Sequence, residues 1–502
     1  MRRLFWLAVF PLGACDISSL NPVPCEESRT CPFVDSGTND GESDATSDGP
    51  SVDAPGCDLS ADPKDAPKCV DSGVGIFVDS SKSDLNDGSR ATPVATIGHA
   101  LALAKTKSVR RIYVCEGTYA EDVLLMQNTS IYGGFKCGDW SYTGNKPVVG
   151  KTQLAMKLDG VNNVVIEDLE ADAKDADGTN RNSIGALINA STGVTLKRVK
   201  LTAGRGNDGT NGTASSNYTP VAQNDMSIAG KNASGIVGGA PHVCALCTDT
   251  KNSVGGAGGT GGSAPSDGSD GSPNLNGVNP IDGKKGHAKP SVDCTGHDGP
   301  NGGAGSPAGA PTALATLTTS WTPANGAPGT NGGVAQGGGG GGGGTDNTNL
   351  LGGAGGGGCG GCGGGLGNGG TGGGASLGLL SVQSTVTLTA SEVITRQAGN
   401  GGAGAAGQVG QPGGFTGQAS IPGCFGGTGG TGGAGGSGSG GAGGISVPVV
   451  YKGTLPTMDS ATTSKLVAGT KGLKGTGGTP AVNDGPDGLS QPTFECKAPL
   501  CN

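Results

Sequence analysis

The sequence predicts an all-β solenoid in which short strands wind into stacked coils, interrupted by long glycine-rich insertions. Two observations carry this. In "VVIEDLEA" (164–171), Val164, Ile166, Leu169 and Ala171 stand at offsets 0, 2, 5 and 7, and "VTLKRVKL" repeats the pattern thirty residues later with Val194, Leu196, Val199 and Leu201. "VTLTASEV" matches again through Val386, Leu388, Ser391 and Val393. Each apolar pair alternates as a strand does, and the extra residue between pairs resets the phase as a corner would. Such a unit cannot bury its apolar face alone and can when stacked, which is the logic of a solenoid. The second observation is that only 19 of the 105 glycines fall in the first 200 residues, and aromatic residues make up 3% of the chain. A single large globular core is therefore not expected.

The chain opens with "MRRLFWLAVFPLGAC". Arg2 and Arg3, a short apolar stretch and Gly13-Ala14 form a signal peptide over residues 1–14. "LGAC" resembles the bacterial lipoprotein box, which implies Cys15 as the lipid-attachment residue, its thiol taking the diacylglyceryl group. Two or three acyl chains hold a protein at a membrane where one does so only marginally. The other fourteen cysteines are an even number, so up to seven disulfides are expected in an oxidising compartment, with the pairing open.

Residues 15–70 read as an acidic disordered tether. Nine acids from Asp35 to Asp65 face the single Lys64, with almost nothing to bury. Cys57 with Cys69, and Cys25 with Cys31, suit small loops within it. From residue 71 to 202 strands dominate: "GIFVD", "RIYVC", "DVLLM" and "SIYGGF". One helix is expected between the first of these and the rest, because Ile97, Ala100, Leu101 and Ala104 share one helical face. Residues 203–374 and 398–444 are glycine-rich insertions, separated by a rung at 375–397. Residues 445–502 hold a terminal rung and a tail containing glycine and cysteine. Collagen is excluded, since glycine does not recur strictly every third residue.

The stretch "FVDSSKSDLNDGSRATPVATIGHALALA", continued by "RIYVCEGTYAEDVLL" and "SIYGGF", resembles the pectin-lyase-like right-handed parallel β-helices of bacterial surface lipoproteins. The resemblance implies an N-terminal capping helix followed by parallel coils. The insertions resemble, in composition alone, the glycine-rich regions of mycobacterial PE-PGRS proteins, and are expected to be polyproline-II-like or disordered. "GGAGGTGG" and "NGGAGAAG" keep a rough three-residue rhythm that favours the first.

Motifs with chemical promise have plainer explanations. Cys244-x-x-Cys247 with Cys294-x-x-His297 is a legitimate zinc set, but disulfides suit the compartment better. Cys359-x-x-Cys362 reads as a staple. Glu121-Asp122 is the best acid pair, with a structural role at a coil edge favoured, and His99 reads as a solvated helix residue. Trp140 and Tyr142 suit packing beside Cys137 better than sugar stacking, and the Thr385, Thr387, Thr389 row does not recur. No catalytic residue, cofactor or metal is expected. The formal charge of −9 argues against nucleic acid as a partner. The expected role is a lipid-anchored display protein of the bacterial cell envelope, structural or adhesive, at the outer membrane or cell surface. Its partners would be the membrane, through the anchor, and polysaccharide or an envelope protein. The alternative is a secreted polysaccharide lyase or glycosidase of the β-helix class whose active site is not recognisable.

Overall fold

Apolar residues alternating along the chain give strands buried on at least one face, and here they assemble three sheets whose pairings are all parallel. The computed structural model describes residues 56–346, 348–497 and 500–502. The protein is all-β. The first sheet runs in the order Ile76–Val78, Arg111–Cys115, Ser130–Phe135, Val165–Glu167, Val194–Lys197, Val386–Thr389 and Thr457–Met458. The second contains Val123–Leu125, Leu154–Asp159, Ser183–Asn189, Ser376–Val382, Ser446–Lys452 and Thr493–Glu495. The third contains Thr118–Tyr119, Val148–Val149, Glu170–Asp172, Lys200–Thr202, Glu392–Ile394 and Leu466–Val467. From residue 154 onward the chain visits the second, first and third sheets in fixed rotation.

The repeat seen in the sequence sets the register. Leu196 lies opposite Ile166 on one side and Leu388 on the other, and Leu201 lies between Ala171 and Val393. All these residues are fully buried and share one core to which all three sheets contribute. The extra residue between the two apolar pairs is a left-handed corner: Asp168, Arg198 and Ala390, at the same offset in three repeats, have φ of 49°, 53° and 47°. A helix, Ile97–Lys107, packs on the core through Ile97, Ala100, Leu101 and Ala104. Thr96 accepts from the His99 amide at its N-cap, and Ser108 closes it in the left-handed conformation.

The glycine-rich sequence is ordered and, apart from short antiparallel pairings such as His242–Cys244 with Ser253–Gly255, Ala315–Leu317 with Trp321–Pro323 and Gly344–Thr345 with Leu351–Gly352, it is not strand. Run 352–375 shows how. Gly355, Gly358, Gly361, Gly364, Gly367, Gly370 and Gly373 donate their amides, in constant register, to every third residue from Cys424 to Ala442. Gly353, Gly356 and Cys359 donate to Gly235, Lys231 and Ile228, and Ala354 and Gly357 donate to Gly259 and Gly256. A chain that turns once every three residues points its three amides per turn in three directions, the geometry of a polyproline-II helix. Such a helix makes no internal hydrogen bonds, so each direction needs its own neighbour. Runs 326–343 and 424–446 follow the same rule.

Glycine is required because the runs lie so close. At Gly302, Gly361 and Gly432, among many, an added Cβ would stand within 3.0 Å of another run's backbone. The runs leave from strands of the third sheet (Lys200–Thr202, Glu392–Ile394, Leu466–Val467) and return into strands of the second (Ser376–Val382, Ser446–Lys452). At ~3.1 Å per residue, the run 424–444 is ~65 Å long.

The N-terminal segment departs from expectation. The sequence places residues 15–70 in one solvated tether, but Gly56–Val70 is folded, with Cys69 and Val70 buried. The physical reason is the Cys57–Cys69 bridge together with anchors on the first sheet: Tyr113 donates to the Cys69 carbonyl, and Arg111 to that of Leu59. The Cys25 and Cys31 loop lies outside the described residues.

Candidate functional site

A group of buried and half-buried charges occupies the corner between the first and third sheets, beneath Gly56–Val70. Glu167 and Asp168, each 2% exposed, sit side by side at the end of Val165–Glu167. Arg198 occupies the equivalent corner of the next repeat. Its Nε donates to Asp168 Oδ1 at 2.9 Å and its Nη2 to Asp168 Oδ2 at 2.8 Å, and it also contacts Glu167 Oε1. The Tyr142 hydroxyl donates to Asp168 Oδ2 at 3.0 Å. Asp62 closes the group from above through Lys197 and, at 3.6 Å, Arg198. Burial outweighs these contacts and pushes the Asp168 carboxyl up to about 6. Beside the corner, Phe77, Tyr113, Tyr132 and Phe135 form an aromatic layer with Trp140, whose ring meets Phe77 edge-on at 4.7 Å between centroids.

Chemically, this corner is an ion cluster locked between two coils and a strap. Both oxygens of Asp168 are engaged by Arg198 and Tyr142, and Glu167 is held through Oε1 while its Oε2 is buried without a hydrogen-bond partner. The other acid pair holds backbone amides. Glu121 accepts the Ile97 and Gly98 amides at 2.7 and 2.9 Å, neutralising the helix N-terminus, and Asp122 accepts those of Lys151 and Thr152. His99 is half-buried on the helix. Trp140 is buried, whereas Tyr142 is partly exposed. Thr387 does have in-register partners, Thr195 and Thr457, on the adjacent coils, while Thr389 pairs with Lys197. The threonine column is therefore one residue wide.

The cysteines resolve into six bridges among the described residues. Cys115 pairs with Cys137, Cys294 with Cys424 and Cys496 with Cys501. Cys244 pairs with Cys359 and Cys247 with Cys362. The C-x-x-C spacing is one turn of a three-residue helix, so each motif sets both sulfurs on one side of its run. Two such motifs form a ladder of two rungs. The zinc set imagined from Cys244, Cys247, Cys294 and His297 is not assembled, because Cys294 is bridged elsewhere.

Sequence reasoning missed the residues that recognise glycine runs. "NDGTNG", "SDGSDG", "HDGPNG" and "NDGPDG" share D-G-x-[DN]-G, whose acceptors again fall one turn apart. Asp208 and Asn211 accept the Asn400 and Ala403 amides at 2.6 and 2.8 Å, while Gly209 and Gly212 donate to the carbonyls of those residues. Asp298 and Asn301 treat Thr428 and Thr431 in the same way. Each Asx-Gly pair thus clasps both sides of one residue on the neighbouring run. The signal was available as a repeated motif, but composition hid it.

The fold and the site together define an all-β protein of three parallel sheets with a hydrogen-bonded polyglycine bundle. Comparison with protein families, with curated proteins and with solved structures finds no match for this chain.

Proposed function

We propose that the protein is a lipid-anchored display element of a bacterial cell envelope, in which a right-handed parallel β-helix carries a stiff polyglycine arm. Its role is structural or adhesive rather than catalytic. The observation that carries this reading is the bundle itself. Glycine runs locked by three amides per turn present almost no side-chain chemistry, yet they hold a fixed shape ~65 Å long. That combination suits a spacer or a contact surface. The engagement of both oxygens of Glu121 and of Asp168 supports the non-catalytic side of the reading. The rotation of the chain through three parallel sheets in constant register supports the β-helix.

The anchor rests on Cys15 and the box "LGAC", with residues 16–55 as the tether. Phase partitioning in Triton X-114 tests it: wild-type protein enters the detergent phase and Cys15→Ser stays in the aqueous phase. A detergent-phase Cys15→Ser protein would remove the anchor from the proposal. A glycan array paired with a screen for released reducing ends separates adhesion from catalysis. Binding without new ends supports the proposal, and release of unsaturated or reducing sugars overturns it.

A further inference from the structure

One imidazole borders the cysteine ladder and is tied to the bundle's backbone through a single ring nitrogen. His242 lies beside the first rung, and the ligand atoms of His242, Cys244 and Cys359 all fall within 4.8 Å of one another. Cys244 and Cys359 are 4% and 0% exposed, and His242 is half-buried. The imidazole Nδ1 is 2.7 Å from the Ala229 carbonyl oxygen, so in the neutral ring Nδ1 carries the proton and Nε2 the lone pair. A backbone carbonyl holding the second nitrogen is the usual support of a metal-ligating histidine. The second rung supplies a control within the same molecule, because among the described residues no third ligating group joins Cys247 and Cys362 in this way.

The rung does not depend on its sulfur bridge for position. The Cys359 amide donates to the Ile228 carbonyl at 2.8 Å, and His242–Cys244 is paired antiparallel with Ser253–Gly255. Opening the bridge therefore leaves two thiols and an imidazole converging in a site that is largely withdrawn from water.

We propose that the Cys244–Cys359 bridge masks a metal site: once a reductant of the dithiol or phosphine class opens it, His242, Cys244 and Cys359 bind one thiophilic cation of the Zn2+ type. Two electrons and two protons convert the disulfide to two thiols: a dithiol supplies both and closes to its own disulfide, whereas a phosphine supplies the electrons and one water supplies the two protons and the oxygen of the phosphine oxide. Binding then displaces the two thiol protons to solvent, and the imidazole contributes its lone pair without losing a proton. Two thiolates and one imidazole make a three-ligand set, with the fourth tetrahedral position left to water. Thiolate and imidazole donors favour Zn2+ over Mg2+ or Ca2+.

The test uses full-length protein carrying Cys247→Ser and Cys362→Ser, so that only the first rung of the ladder remains. After reduction with a phosphine and anaerobic removal of excess reagent, Co2+ is titrated and its thiolate charge-transfer and tetrahedral ligand-field bands are followed. The expected result is a tight equivalent of Co2+ that is absent before reduction, displaced by Zn2+, and weakened at least 10–100-fold by His242→Ala, since losing a direct ligand costs no less than losing the outer-shell partner of one. Amide protection at Cys359 that persists after reduction shows that the run has kept its place, and His242→Gln serves if the alanine variant does not fold. Equal Co2+ affinity and spectra with and without His242 overturn the proposal, as does a reduced protein with no tight equivalent.

Discussion

Gly302 and Gly303 are neighbours in "HDGPNGGAG" and, in a flexible linker, would respond alike to substitution. The bundle separates them. Gly302 donates to the Thr431 carbonyl at 2.9 Å, and a Cβ there would meet the Gly333 carbonyl and, at 2.8 Å, the Gly433 nitrogen. Gly433 is itself bonded to Gly333 at 2.9 Å, and Gly333 to Gly303 at 2.7 Å. A methyl group at 302 must push apart the three runs that meet there. Overpacking typically costs about 1–3 kcal/mol. Loosening two lattice hydrogen bonds adds roughly 1 kcal/mol each. Gly302→Ala should therefore destabilise by ~3–5 kcal/mol, a large fraction of a domain's usual 5–15 kcal/mol margin. At Gly303 the added Cβ meets nothing within 4 Å. Gly303→Ala should be neutral or stabilising by about 0.4–1 kcal/mol, because alanine restricts the unfolded chain. Denaturant unfolding of the disulfide-intact proteins, followed by intrinsic fluorescence and by far-ultraviolet circular dichroism, reads the difference. Equal midpoints for the two variants would refute the lattice.

Leu196→Asp places an unpaired carboxylate in the shared core and should cost several kcal/mol, whereas half-buried Thr195→Asp should change the unfolding midpoint little; equal shifts would refute the register. In hydrogen exchange, the amides of Gly399, Gly402, Ala405, Gln408, Gln411 and Gly414 bond to the run 359–374, so they should exchange orders of magnitude more slowly than an unstructured peptide, and exchange within seconds would remove the bundle. The Asp168 carboxyl is held at about 6 by burial against 3.8 when free, so the folded state binds the extra proton. Its contribution to stability therefore rises as pH falls through 6 towards 4. Asp87 and Asp267, held at about 2 chiefly by hydrogen bonds from Thr92 and from the Ala288 amide, act oppositely, and their contribution is lost below about 4. The thermal midpoint should thus climb from pH 7 to about 4.5 and fall below it, and Asp168→Asn should flatten the climb; an unchanged climb in the variant would contradict the assignment.

The coils were legible because side chains report on them. Val164, Ile166, Leu169 and Ala171 mark an inward face, and the phase slip between pairs located the corners at Asp168 and Arg198. Those two residues even occupy equivalent offsets thirty residues apart, so their ion pair could have been inferred once stacking was assumed. The bundle was harder to read for the opposite reason. A glycine run has no side chain to mark a face, and the same composition serves a loose linker. Its order is encoded instead in the residues that are not glycine: the three-residue spacing of Cys244-x-x-Cys247, of Cys359-x-x-Cys362, and of the Asx positions in D-G-x-[DN]-G. Gly56–Val70 was obscured by charge. Its acids resemble those of a solvated tether, and only the register of Lys197 and Arg198 gives Asp62 a partner.

The bridge between Cys57 and Cys69 also decides how the molecule bears load. A pull on the chain before Gly56 reaches Cys57 and crosses the sulfur bond to Cys69, whose Cα is 4.8 Å away. The intervening residues, with the Asp62 ion pairs, carry none of that force. The tension passes instead to the segment leading into Ile76–Val78, which is paired along its length with Arg111–Cys115. If the bond is reduced, the path runs through the whole loop. Electrostatic contacts then fail first, and the twelve-residue loop pays out ~35 Å of slack at roughly 3.3–3.6 Å per residue. The strap therefore behaves as a shock absorber whose travel is set by redox state.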